Sequence, residues 1–347
     1  MSAQVSRRTH ASGLQTIALE NEWLQLTVLP GLGAKIYDLV SKPTGRNFLW
    51  HNPRINPQPY AIEANFDNYW CGGWDDAFPT CDECDYAGEH YPNLGELRSL
   101  CWNVEGTDQR ETGATVRLAA LGPISPVRAT KTVTLYAQKP VVEVRWEIEN
   151  VGHLPMDFIW GTHPAIEPGR RALLRIPAKT GIVGLASHPS LGTPGQRYPW
   201  PNLETGVGRT DMSLTQPKEV GIFAGHTATD LEAGWYAIED LDNGEGFLLQ
   251  FPRNTCPYLW MWLVYGGWRG YRHVILEPWT SHPVNLAQAV QQRTNRELKA
   301  GEKFEAYVRA AIYSEPITWR EALRQISTAV EPPFRAAPAG LKPSSAS

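Results

Sequence analysis

The stretch KTVTLYAQKPVVEVRWEIEN, residues 131–150, decides the fold class. On both sides of Gln138, Lys139 and Pro140, apolar and β-branched residues alternate with polar ones, the period of two expected of a strand with one buried face. Two such runs joined by a short proline-containing break predict a hairpin, and hence antiparallel pairing. The same texture extends outward. LQLTVLP (24–30), AKIYDLV (34–40), ATVRLAAL (114–121) and MDFIWG (156–161) read as strands in the first half of the chain. LLRIPA (173–178), GWYAIED (234–240), GFLLQFP (246–252), YLWMWLVY (258–265), HVILEPW (273–279) and FEAYVRAAIY (304–313) continue the pattern in the second. Helical periodicity is confined to NLAQAVQQ, after Pro283, and ITWREALRQISTAV near the end. The pattern predicts an all-β protein, a large twisted antiparallel β sandwich. Residues 1–14 are expected to be an N-terminal extension and 15–330 a single domain with a C-terminal helix. Residues 331–347, rich in Pro, Ala and Ser without periodicity, are expected to be a disordered tail.

Composition narrows the function classes. The 32 Lys and Arg are dispersed and outnumbered by 36 Asp and Glu, so there is no basic footprint for nucleic acid. No segment has the apolar length of a membrane span or a secretory leader, and a cytoplasmic protein without a membrane partner is expected. The five cysteines, an odd number in a long chain, argue for reduced thiols rather than a disulfide framework. Fourteen Trp and 13 Tyr are a bias that suits carbohydrate, because indole and phenol rings offer flat apolar faces and a polar handle.

Most short motifs argue by exclusion. GLGAKI at 31–36 begins like a dinucleotide fingerprint, but Ile36 stands where the pattern needs glycine and no helix follows, so no nicotinamide cofactor is expected. CDEC at 81–84 has metal-ligand spacing without a second tight pair, and loop thiols are the simpler reading, with no metal expected. NFDNYWCGGWDDAFPT, 65–80, sets Trp74 and Asp75 beside two glycines, a composition that fits a sugar-binding loop or a loop packed over the sandwich. In HYPNLGELR, 90–98, Glu96 and Arg98 alternate with Leu97 and share one face if the segment is extended.

Two positions carry proton chemistry. GTHPAIEPG, 161–169, puts His163 before a proline at the predicted end of an apolar strand, and HVILEPWTSHPVN, 273–285, does the same with Glu277. A carboxylate emerging from so apolar a strand is pushed toward the proton affinity of a general base. Trp279, two residues on, is a further candidate contact to a sugar ring.

These features, in this order over roughly residues 15–315, resemble the aldose 1-epimerases, or galactose mutarotase-like proteins. WLQLTVLPGLGAKIYDLVSKPTGRNFLW (23–50) is similar to that family's first hairpin, and THPAI (162–166) to its histidine segment. LEPWTSHPVN (276–285) is similar to its glutamate–proline segment, and LKAGEKFEAYVRAAIY (298–313) to its closing strand. The resemblance implies a galactose mutarotase-like β supersandwich that interconverts α and β anomers of an aldose or modified sugar without a cofactor. It makes Glu277 the base at the anomeric hydroxyl and His163 the acid at the ring oxygen. Arg98, Trp74, Asp75, Glu96 and Trp279 become the expected substrate contacts, and a small-molecule sugar the expected partner. One departure is plain: where such enzymes have a second histidine, then glycine, and three residues later arginine, this chain has Leu94, Gly95 and Arg98, with His90 the nearest imidazole. A non-catalytic sugar-binding protein of the same fold is the alternative that this departure raises.

Overall fold

A computed structural model of the chain describes residues 2–328, and the tail expected at 331–347 lies outside the described residues. Two antiparallel sheets make up the body. The larger has eleven strands, ordered Gln4–Thr9, Gln15–Glu20, Leu24–Leu29, Lys35–Ser41, Trp74–Ala77, Gly161–Ile166, Arg272–Trp279, Tyr258–Tyr265, Ile222–Leu231, Ala178–Ala186 and Arg197–Pro199. The smaller has eight: Ala172–Arg175, Trp235–Asp240, Gly246–Gln250, Lys303–Tyr313, Val141–Asn150, Val127–Tyr136, Gly113–Leu121 and Asn103–Arg110.

The 131–150 stretch folds as its alternation demands. Val133 pairs with Val144 and Leu135 with Val142 in one hairpin. Val142, Val144, Trp146 and Ile148 enter the apolar cluster that joins the two sheets, together with Leu26, Ile36, Trp74 and Leu276 of the larger sheet. Glu143 breaks the expected exposure of the opposite face. Helix Trp319–Ser327, capped by the Thr318 side chain, lies over that part of the smaller sheet. The buried carboxylate of Glu143 is held there by Arg309 at 2.7 Å and by Arg145.

Three boundaries differ from the sequence reading. Gln4–Thr9, inside the segment expected as an extension, is the edge strand of the larger sheet, pairing with Gln15–Glu20. Its exposed arginines are the charges that keep a free edge from recruiting another strand. MDFIWG does not form one strand: Met156–Phe158 pairs with Arg296–Leu298, and a separate strand, Gly161–Ile166, runs through His163 and Pro164. Proline lacks the N–H that a central strand donates to its ladder. Here the ladder to Arg272–Trp279 is kept at Gly161, Ala165 and Ile166 and skips the residues between, so the missing donor is tolerated. The strand of Glu277, Arg272–Trp279, ends at Trp279 as HVILEPW does, two residues beyond the carboxyl group.

Candidate active site

The outer face of the larger sheet carries the chemistry. Registers Ile36↔Trp74, His163↔Asp75 and Trp260↔Glu277, with Gly161↔Trp279 and Ala165↔Ile275 between them, align Lys35, Asp75, His163, Glu277 and Trp260 in one row across five neighbouring strands. Because side chains alternate along each strand, these five share a face, and Val274 and Leu276 point into the core.

His163 and Glu277 line a cavity of about 470 Å³, a volume in the range of small-ligand sites. Its walls include Phe66, Trp70, Trp260, Trp262 and Trp268, with Asn93, Leu94, His282 and Gln288 around them. His163 Nε2 stands 3.8 Å from Glu277 Oε1. The imidazole is 7% exposed, its Nδ1 has no partner, and the rings of Trp70 and Phe66 stand edge-on to it. Burial pushes its pKa down to about 4, opposed by the Asp75 charge and reinforced by Lys35. Burial drives Glu277 the other way, well above the usual carboxyl value, opposed by the hydrogen bond from Trp279 Nε1 at 3.1 Å. Burial thus favours the neutral form of each group, and the two stand close enough for one to give a proton while the other takes one.

Asp75 does not reach the cavity. It is 2% exposed, forms an ion pair with Lys35 at 2.9 Å and accepts the Trp70 indole N–H at 3.1 Å. Its role is to fix the ring that packs against His163. Trp279 is also buried beneath the cavity. Its ring lies against Gly161, where a Cβ would stand 2.4 Å from the indole, so only glycine lets the tryptophan close on Glu277.

The remaining expected contacts fall elsewhere. Trp74 faces the sandwich core rather than the cavity, since the alternation that turns Asp75 outward turns Trp74 inward. Its N–H meets Thr162 Oγ1, which bonds Asp76, itself paired with the buried Lys131 at 2.6 Å. Trp74→Phe is accordingly expected to lower unfolding free energy by about 1–2 kcal/mol in urea titrations and to leave sugar affinity unchanged. Glu96 is fully buried and accepts from the backbone N–H groups of Ile124 and Ser125, pinning that loop. Arg98 is 2% exposed and packs over the Tyr60 and Phe66 rings; it bonds the Asn93 carbonyl and leaves Nη1 without a partner. It lines a smaller hollow of about 410 Å³ that shares Phe66, Asp67, Asp82 and Asn93 with the main cavity.

Leu94 lines the cavity with φ 57°, a left-handed conformation that costs a non-glycine residue about 1–2 kcal/mol. Gly95, also at positive φ, follows it, and a Cβ there would strike the Phe78 carbonyl at 1.9 Å. His90 is exposed and bonded to Asp85 at 2.8 Å, and does not line the main cavity. Cys81 lines the cavity; among the described residues no group of three or more His, Cys, Asp or Glu is placed to hold a metal ion.

Sequence reasoning missed the tryptophan wall. The signal was present in YLWMWLVY, where Trp260 and Trp262 are two apart and hence on one face, next to the strand of Glu277. Trp70 and Asp82 come from loops and Asp67 from a single 3₁₀ turn, Phe66–Asn68, whose approach to a sheet face leaves no periodic trace.

Residues 2–88 match a family described as a domain of unknown function (DUF5107). Solved structures match over most of the chain. The Slr1438 protein from Synechocystis sp. PCC 6803 is 20% identical, with a TM-score of 0.64, over 89% of this chain and 97% of its own. A galactose mutarotase-like protein from Lactobacillus casei ATCC 334 is 17% identical, with a TM-score of 0.60, over 86% and 100%. A provisionally named aldose 1-epimerase from Klebsiella pneumoniae is 11% identical, with a TM-score of 0.71, over 98% and 92%. At such identities it is the architecture that is common to them, and this chain is a divergent protein of the galactose mutarotase-like fold.

Proposed function

We propose that the protein is a cofactor-independent aldose 1-epimerase. The observation that carries this reading is the His163–Glu277 pair, 3.8 Å apart on adjacent strands and opening into one aromatic-walled cavity. Ionised Glu277 takes the proton from the anomeric hydroxyl, and that O–H electron pair forms the C1=O double bond. The bond from C1 to the ring oxygen breaks with its electrons on oxygen, which receives the proton of His163. Rotation about C1–C2 and the reverse steps deliver the other anomer. Burial favours the protonated form of Glu277 and the neutral form of His163. Binding of polar sugar hydroxyls relieves the desolvation that keeps the proton on Glu277, and its transfer to His163 creates the working ionic pair. Trp260, Trp262 and Trp268 supply apolar faces for the C–H side of a pyranose.

The apolar Leu94 at the cavity wall favours a second reading, a protein that binds sugar without turning it over. Exchange NMR on a panel of aldoses separates the two. Acceleration of anomer exchange above the spontaneous rate is expected; binding by calorimetry without acceleration for any sugar gives the result to the binding protein.

A further inference from the structure

The cavity is charged in one sense only. Among its lining residues are three carboxyl groups, on Asp67, Asp82 and Glu277, and neither lysine nor arginine. Glu277 lies deep, bonded to Trp279, whereas Asp67 and Asp82 belong to the region shared with the smaller hollow. Asp67 has a counter-ion in Arg269, at 3.7 Å. Among the described residues Asp82 has no such partner, and it is exposed where it lines the cavity, beside Glu83. Arg98 lines the smaller hollow with one unpartnered nitrogen, but that hollow also presents Glu63, Asp67, Asp82 and Glu83. The lining of that hollow sets four carboxyl groups, one of them paired with Arg269, against the Arg98 guanidinium and the His90 imidazole.

Two further observations point to the kind of ligand. Phe66, Trp70, Trp262 and Trp268 border the same cavity, and the faces of aromatic rings attract a desolvated cation. The buried Nδ1 of His163 has no partner, which leaves a neutral polar atom for a sugar oxygen at the floor.

Resting on the reading of this cavity as a sugar site, we propose that its substrate carries no anionic substituent, and that an aldose with one ring hydroxyl replaced by a protonated amine is preferred over the neutral sugar. Asp82 receives the ammonium group at the mouth, with the aromatic wall beside it, and the remaining hydroxyls meet the floor as those of a neutral sugar do.

The test is calorimetry on the full chain with glucosamine hydrochloride, glucose, glucose 6-phosphate and glucuronate at one pH and low ionic strength. The expected order is glucosamine about tenfold tighter than glucose, with both anions weaker than glucose. Asp82→Asn is expected to reduce the glucosamine-to-glucose ratio to near one. Equal affinity for glucosamine and glucose, tighter binding of either anion, or a ratio unmoved by Asp82→Asn overturns the proposal. Anomer exchange followed in the same samples keeps the two readings apart. Accelerated exchange of glucose without the affinity order removes only the charge selection, and the affinity order without exchange removes only the epimerase.

Discussion

Glu277→Gln and His163→Asn are each expected to slow catalysed anomer exchange by about 100-fold or more, with the fold retained. The size follows from what a positioned general acid or base contributes, about 10²–10⁴ in rate. Glutamine keeps an acceptor for the Trp279 N–H and nearly the volume of glutamate, so the cavity keeps its shape while losing its base. Asparagine at position 163 keeps a polar group between Asp75 and Glu277 and cannot carry the proton. Exchange NMR gives the rate, circular dichroism the fold, and calorimetry the affinity; unchanged exchange in either variant removes the role assigned to that residue. The pH profile adds a second constraint. With His163 lowered to about 4 by burial, a second proton enters the pair only near that value, so the acid limb of activity is expected near pH 4 rather than 6.5.

Much of this was legible in the chain because alternation is a direct consequence of the pleat. The hairpin at 131–150 is written in its valines, and the inward and outward residues of HVILEPW place Ile275 and Glu277 on one face before any coordinates exist. The same rule puts Trp74 and Asp75 of WDD, 74–76, on opposite faces of the sheet, although composition alone makes the segment look like one unit. In fact Asp75 belongs to the row beneath the cavity, Trp74 to the core, and Trp70, which lines the cavity, reaches it from a loop. Pro164 sits inside a strand for a local reason, because the ladder to the neighbouring strand is interrupted beside it, whereas Pro278, within the HVILEPW strand, stays in register with Leu259. Long-range closure, which brings Asp67 and Asp82 to the mouth, has no signature in local periodicity.

The row Lys35–Asp75–His163–Glu277 also explains why burial is tolerated at the site. Lys35 and Asp75 satisfy one another, with a further bond from Lys35 to the Gly72 carbonyl at 2.7 Å, so the charged half of the row is complete without substrate. In the His163–Glu277 half burial favours the neutral form of each group, and one nitrogen is unused. Polar capacity is thus concentrated where the cavity lies, and the scaffold beside it is saturated.

Buried neutral histidines make a second large prediction, readable as stability. His226 is fully buried outside the cavity, with Nδ1 2.9 Å from Tyr198 Oη and Nε2 without a partner, and burial lowers its pKa to about 4. A folded-state pKa below the unfolded value of 6.5 means that, on acidification, the unfolded chain takes up a proton that the folded chain refuses. The stabilising contribution is therefore complete above pH 6.5 and is lost as pH falls through about 4. From the size of that displacement the loss by pH 4 is about 3 kcal/mol. Carboxyl groups with raised values, Glu277 first among them, act in the opposite direction over the same range, so the wild-type curve alone does not isolate the histidine. The difference between wild type and His226→Gln does, because every other group cancels. Relative to wild type, the variant is expected to gain about 3 kcal/mol between pH 7 and pH 4 in urea titrations, whatever its offset at pH 7 from the lost Tyr198 bond. A difference that stays constant over this range means that His226 titrates alike in both states, and that its burial does not hold it neutral.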